Sequence, residues 1–194
     1  MTPRAPLPLP PGDGRVLLLA CCAPCCGEVI EAILASGLSL TVFFYNPNIQ
    51  PREEYDRRKA EVIRLVRRNG AAFVDADYDP DRWQAHTRGL EQEPERGRRC
   101  EICFDLRLER TARHALDHGF AVFTSSLGIS RWKDMAQVNA CGHRVAARHP
   151  GLTYWDYNWR KNGGTARMVE VARREGLYQQ DYCGCPPSRR STPT

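Results

Sequence analysis

The chain of 194 residues contains no run of eighteen consecutive apolar residues, which excludes an ordinary membrane-spanning helix. Its start, "MTPRAPLPLPPGDGR", is broken by proline throughout and lacks the continuous apolar core of a signal peptide. There is no internal repeat, which excludes solenoid and propeller architectures. Charge of one sign is not dominant: the net value of +5 permits a nucleic-acid partner without requiring one. The nine cysteines are odd in number and come without an export signal, which argues against a secreted disulfide scaffold. A reducing cytoplasm, with thiols kept free for metal or redox chemistry, is the expectation.

Short apolar runs alternate with helical patterns along the chain. "RVLLLAC" reads as a buried strand, and Pro24 in "APCCGEVIEAILASG" suits the first turn of a helix that Gly37 stops. "LTVFFYN" and "AAFVDADY" read as the second and third strands. The helix between them has Tyr55, Val62, Ile63 and Val66 as its apolar face, and its arginines read as a solvated face. Pro80 opens a short helix. "CEICFDLRLERTARHALDHG" predicts a longer one with Phe104, Leu108, Ala112 and Ala115 on one side. "AVFTSSL" is a fourth strand, "DMAQVNACGHRVAARH" a helix, "LTYWDYN" a fifth strand and "TARMVEVARREG" a last helix. Strands alternating with helices predict a Rossmann-like α/β fold. Its parallel sheet carries helices on both faces and ligands at the carboxyl ends of the strands. Residues 1–14 read as a disordered proline-rich leader, 15–187 as one α/β catalytic domain and 188–194 as a disordered tail.

Eight of the nine cysteines fall in three clusters. Cys21, Cys22, Cys25 and Cys26 stand where the first strand passes into the first helix, whose N-terminus lowers thiol pKa values and favours anions. Cys100 and Cys103 form a C-x-x-C pair, which suits a redox dithiol, a zinc half-site or an iron–sulfur half-site equally. Cys183 and Cys185 flank a glycine, and such a C-x-C pair reads either as a strained, reducible dithiol or as two more metal ligands. Two thiolates from the first cluster and two from the second make a four-sulfur site for zinc or an iron–sulfur cluster.

"CCAPC", "FFYNPNIQPREEY", "DYDPDRW", "GLEQEPERGRRCEICFDLRLERTA", "NWRKNGG" and "GLYQQDYCGC" together resemble the cobalamin-independent epoxyqueuosine reductases of the QueH type, over Leu17 to Cys185. The resemblance implies a fold related to adenine-nucleotide hydrolases. It implies reduction of the epoxide of epoxyqueuosine, at the wobble position of a tRNA anticodon loop, to the alkene of queuosine. It implies a 4Fe-4S cluster held by Cys21, Cys22, Cys100 and Cys103, and Cys183 and Cys185 as a redox-active disulfide. Cys25 matches a position that is cysteine or aspartate in relatives, and would hold an additional iron ion or assist the substrate. Leu19 replaces a histidine common among relatives, and Cys26 and Cys141 lie outside the family pattern as packing residues.

Opening an epoxide to an alkene consumes two electrons and two protons and releases water. An external donor must supply the electrons. Tyr45, Asp77, Tyr78 and Tyr182 are the candidate proton donors. A looped-out base needs an aromatic platform, for which Trp132, Trp155 and Trp159 are candidates. Arg98, Arg99, Arg131, Lys133, Arg160 and Lys161, all in loops or at helix starts, are the candidates for phosphate contact. A zinc-dependent nucleic-acid module and a thiol–disulfide oxidoreductase acting on proteins are the competing readings of the same cysteines.

Overall fold

The structure is a computed structural model and describes residue 4, residues 6–76 and residues 78–189. Five strands, β1 (Arg15–Leu19), β2 (Ser39–Phe44), β3 (Ala72–Asp75), β4 (Val122–Ser125) and β5 (Thr153–Tyr154), form one sheet in the order β3-β2-β1-β4-β5. All four pairings are parallel, with Leu19 opposite Phe43 on one side and Ser125 on the other. The helices are α1 (Ala23–Ala35), α2 (Arg52–Arg68), α3 (Pro80–Thr87), α4 (Arg98–Asp117), α5 (Met135–Ala147) and α6 (Gly164–Arg174). No helix among the described residues is long and apolar enough to cross a membrane.

Side chains of β1 alternate between two cores. Val16, Leu18 and Ala20 pack with Val29, Ile30 and Ile33 of α1. Leu17 and Leu19 pack with Phe104, Leu108 and Ala112 of α4 and with Val138 and Val145 of α5. Burial on both faces explains why "VLLLA" has no polar alternation. The chain moves outward from β1 to β3, then returns to place β4 on the other side of β1. The loops after β1 and β4 therefore diverge at the sheet's centre, the switch point where open parallel sheets bind ligands.

Helix ends follow local chemistry. Asp134 caps α5, its carboxylate accepting from the amides of Ala136 and Gln137 at 2.8 and 3.2 Å. Glu53 and Glu54 open α2 and Arg67 and Arg68 close it, each complementing the helix dipole.

The fifth strand is shorter than its apolar pattern, only Thr153–Tyr154, and beyond it Trp155 and Trp159 pack into the α1 core. On α2 it is Leu65, not Ile63, that completes the buried face, and Arg58 is buried with it. Leu7 of the leader packs against the α1 core, and Arg4 bonds Glu28 and Glu31 of α1 at 2.6 and 2.8 Å. In the tail, Ser188 is buried.

Between α4 and α5, Glu109 accepts from Arg113, Arg148 and His149 at 2.8, 2.9 and 3.0 Å. Burial alone would raise its pKa, but these three donors hold it at about 2. A carboxylate depressed from 4.5 stabilises the fold above pH 4.5, and the contribution disappears as pH falls towards 2. Urea unfolding should therefore show the native chain more stable than Glu109→Gln at pH 6, with the gap closing steadily below pH 4.5. A gap that does not change with pH would refute this assignment.

Candidate active site

Cys21 and Cys22 follow the carboxyl end of β1, and Cys22 is the N-cap of α1. Pro24 sets the first turn, which brings Cys25 back over the pair. The three sulfurs lie within 4.8 Å of one another, with Cys21 and Cys22 3.6 Å apart. They open into a cavity of about 210 Å³, whose wall also includes Cys100 of α4 and Cys183 of the tail. Three remote segments thus bring five of the nine cysteines to one space.

A buried arginine sets how α4 stands against this edge. Arg107, 1% exposed, donates from Nε to the Tyr45 carbonyl at 3.3 Å and from Nη2 to Asn46 Oδ1. Asn46 in turn donates 2.9 Å to the carbonyl of Ala20, the residue before Cys21. The helix carrying Cys100 and Cys103 is thereby tied to the turn carrying Cys21 and Cys22. Cys103 itself lies behind the wall, in an apolar nest with Trp83, Leu106 and Cys185.

The tail is tied by a second buried arginine. Arg58, 2% exposed, pairs with Glu54 at 2.6 Å and donates to the carbonyls of Cys183 and Tyr182 at 2.9 and 3.2 Å. The Gln50 amide donates 2.9 Å to the Gly184 carbonyl. Gly184 has φ +124, and a Cβ there would meet Ile49 Cγ1 at 2.8 Å, so this position requires glycine. Gln180 completes the docking by donating 2.8 Å to Cys22 Sγ.

The thiols differ in charge. Cys21 is held well below the usual thiol range, because Cys22 and Cys25 donate to its sulfur and Lys133 and Arg107 add positive charge. Cys22 is pushed up to about 12 by the neighbouring Cys21 sulfur, and Cys25 is raised by both neighbours and by burial. The helix N-terminus was expected to activate Cys25 and Cys26; shared protons and burial outweigh it, and Cys26 is raised by burial. Burial also raises Cys100, Cys185 and, to about 11, Cys103. All nine thiols are free, including Cys183 and Cys185.

Several expected roles change once the side chains are placed. Arg99 is 2% exposed and donates to the carbonyls of Leu90, Glu91 and Glu93, so it holds the charged loop. Arg160 donates to the carbonyls of Ser130 and Lys133 at 2.6 and 2.9 Å, bracing the loop after β4. Lys133 turns into the cavity, its Nζ 3.0 Å from Cys183 Sγ. Trp155 and Trp159 are buried, whereas Trp132 is 56% exposed at the cavity mouth with Arg131 stacked 4.6 Å from its ring. Arg98 and Lys161 are exposed.

Tyr45 is buried in the α4 core, away from the cavity wall. Tyr78 and Tyr182 donate to the carbonyls of Ile49 and Gln50 at 2.9 and 2.7 Å, so their protons secure a loop, although Tyr182 does face the cavity. Asp77 lies outside the described residues. Cys26 and Cys141 are buried packing residues, as expected. Arg58, Arg107 and Gln180 were not among the expected site residues. Arg96 was not either: it donates to the carbonyls of Arg131 and Trp132 at 3.2 and 3.1 Å, and its amide donates to Cys100 Sγ at 3.3 Å.

The family model described as epoxyqueuosine reductase QueH matches residues 16–191. Curated proteins named epoxyqueuosine reductase QueH match at high identity. The one from Haemophilus influenzae is 57% identical over 97% of this chain and 77% of its own length. The one from Acinetobacter baylyi is 55% identical over 98% and 87%. The relative from Thermotoga maritima is 30% identical over 89% and 88%. Among solved structures, a U34-tRNA thiolase, NcsA from Methanococcus maripaludis with its [4Fe-4S] cluster, superposes with a TM-score of 0.60. It is 12% identical and covers 91% of this chain but 61% of the thiolase, a likeness of fold alone.

Replacing Arg107 with methionine would strand Asn46 Oδ1. Each buried acceptor left unpaired costs about 1–3 kcal/mol, so urea unfolding of Arg107→Met should show a loss in that range or above. A loss under about 0.5 kcal/mol, the size of an ordinary surface change, would show that the tie is dispensable.

Proposed function

The chain belongs to the QueH family of epoxyqueuosine reductases, and from that premise we propose that its thiol-lined cavity reduces the epoxide of epoxyqueuosine in tRNA to an alkene. The observation that carries this reading is the meeting of Cys21, Cys22 and Cys25 within 4.8 Å on a wall shared with Cys100 and Cys183. Soft sulfur donors in that number suit an iron–sulfur cluster, and they also suit zinc. Cys21, Cys22, Cys100 and Cys103 are proposed to hold a 4Fe-4S cluster, with Cys25 left for an additional iron ion or for the substrate. When bound, the cluster supplies electrons singly.

The chain's own residues do the rest. The reaction takes up two electrons and two protons and releases one water per epoxide opened. Cys183 and Cys185 can carry two electrons as a dithiol, refilled by an external donor. Trp132, exposed at the mouth, offers a face on which the unstacked base can rest. Arg98, Arg131 and Lys161 are exposed and placed for backbone phosphates. Removing a single phosphate contact, as in Arg131→Ala, should weaken tRNA binding across sequences and flatten the plot of log affinity against log salt by about 0.7–1. An unchanged slope would take Arg131 off the phosphate path.

Metal analysis after anaerobic reconstitution tests the ligand set. Iron and sulfide should fall to background in Cys103→Ala while Cys25→Ala keeps its brown cluster absorbance. Because Cys25 is the thiol already grouped with Cys21 and Cys22, the opposite result would place it in the cluster and Cys103 in the packing. A colourless native protein with stoichiometric zinc would replace the reductase by a zinc site.

A further inference from the structure

Two N–H groups are aimed at sulfur on the cavity wall. The Gln180 side chain donates from Nε2 to Cys22 Sγ at 2.8 Å, across 158 positions of sequence. The Arg96 amide donates to Cys100 Sγ at 3.3 Å, and Arg96 holds φ +70, a left-handed backbone that residues other than glycine rarely adopt. Both donors are fixed. Before Gln180, the Tyr178 amide and hydroxyl donate to Glu61 and Glu54 at 3.3 and 3.1 Å. After it, Arg58 holds the carbonyls of Tyr182 and Cys183. The Arg96 carbonyl accepts 2.9 Å from Gln137, and its guanidinium bonds the carbonyls of Arg131 and Trp132. Gln180 Oε1, by contrast, is buried with no partner among the described residues. A buried acceptor left unpaired is costly, and an apolar side chain there would not incur that cost. What glutamine adds at this position is the N–H on sulfur.

We propose that Gln180 raises the reduction potential of the cluster through its hydrogen bond to the Cys22 sulfur. The proposal rests on the reading of Cys22 as a cluster ligand and deepens it. A metal-bound thiolate has no proton to donate, so of the two ends of the amide only the NH2 can bond it. The step concerned is the uptake of one electron by the cluster from a low-potential one-electron donor, which is oxidised by that one electron. No bond to Gln180 forms or breaks.

Reduction adds one negative charge, part of which falls on the ligating sulfurs. The N–H dipole opposes that charge, so the bond strengthens on reduction and the reduced form gains more than the oxidised one. The amide oxygen is out of reach of water, and in such surroundings a hydrogen bond is electrostatically stronger than in solvent. Gln180 is a positioning residue in this scheme, acting on the reaction only through Cys22.

The test is a potentiometric reduction of the full chain after anaerobic reconstitution, followed by the EPR signal of the reduced cluster. Gln180→Met keeps the length of the side chain and removes the donor. It should retain iron and sulfide, while its cluster becomes about tenfold harder to reduce, about 59 mV lower for one electron. Replacing the exposed neighbour, Gln179→Met, should leave the native potential in place. A Gln180→Met curve that overlays the native one overturns the proposal, and so does an equal fall in Gln179→Met. Should Gln180→Met fail to hold its cluster, the native protein decides. With glutamine side-chain amides labelled with the heavy nitrogen isotope, pulsed EPR of the reduced native cluster must show coupling to that isotope, and its absence overturns the proposal equally. A colourless native protein holding zinc removes the cluster reading and the proposal with it, whereas a brown protein with an unmoved potential removes the proposal alone.

Discussion

A guanidinium buried between a helix and the edge of the sheet governs the geometry of this protein. Arg107 satisfies the end of β2 directly and the end of β1 through Asn46. A charged group is costly to bury unless it is paired and hydrogen-bonded, and here it donates to a backbone carbonyl and to the Asn46 side chain, both of which must be fixed anyway. The same side chain adds positive charge beside sulfur, adding to the fall of Cys21 that Cys22 and Cys25 cause and offsetting part of the rise that burial gives Cys103. One residue therefore combines docking of the cysteine-bearing helix with positive charge beside Cys21.

Arg58, Arg99 and Arg160 repeat the device on other segments. Each reaches backbone carbonyls of an irregular stretch: the tail, the charged loop before α4 and the loop after β4. Irregular backbone near a core needs partners for its polar groups, and an arginine fork can serve two or three carbonyls at once. The cavity wall is built from loops, yet these arginines give it the rigidity that a redox site requires.

Much of this was legible in the residues. Short apolar runs located the five strands, and Phe104, Leu108, Ala112 and Ala115 marked the buried face of α4 correctly. The clustering of cysteines at the end of β1 and the start of α4 pointed to the right edge of the sheet. What pattern could not show is which arginines turn inward. Arg58 sits in a helix so rich in charge that a solvated face was the natural reading, and only the tail's return from far along the chain gives it carbonyls to bond. Lys133 looked like a phosphate ligand beside Arg131, but the bracing of its loop by Arg160 aims it at sulfur. Trp155 was a candidate platform, yet just past the edge strand β5 it packs into the α1 core. Thiol pKa values depend on distances among sulfurs that no local motif encodes, so the helix-end argument chose Cys25 where the structure chooses Cys21.

The docking of the tail onto α2 joins residues 125 positions apart, Arg58 and Cys183, after every strand has been laid down. Closing so large a loop costs entropy that local helices and neighbouring strands do not incur. Assembly thus has a natural sequence: the sheet and α4 can place Cys21, Cys22 and Cys100 while the side later occupied by Gln180 to Cys183 still lies open. Gln180 to Cys183 are then the last part of the cavity wall to arrive.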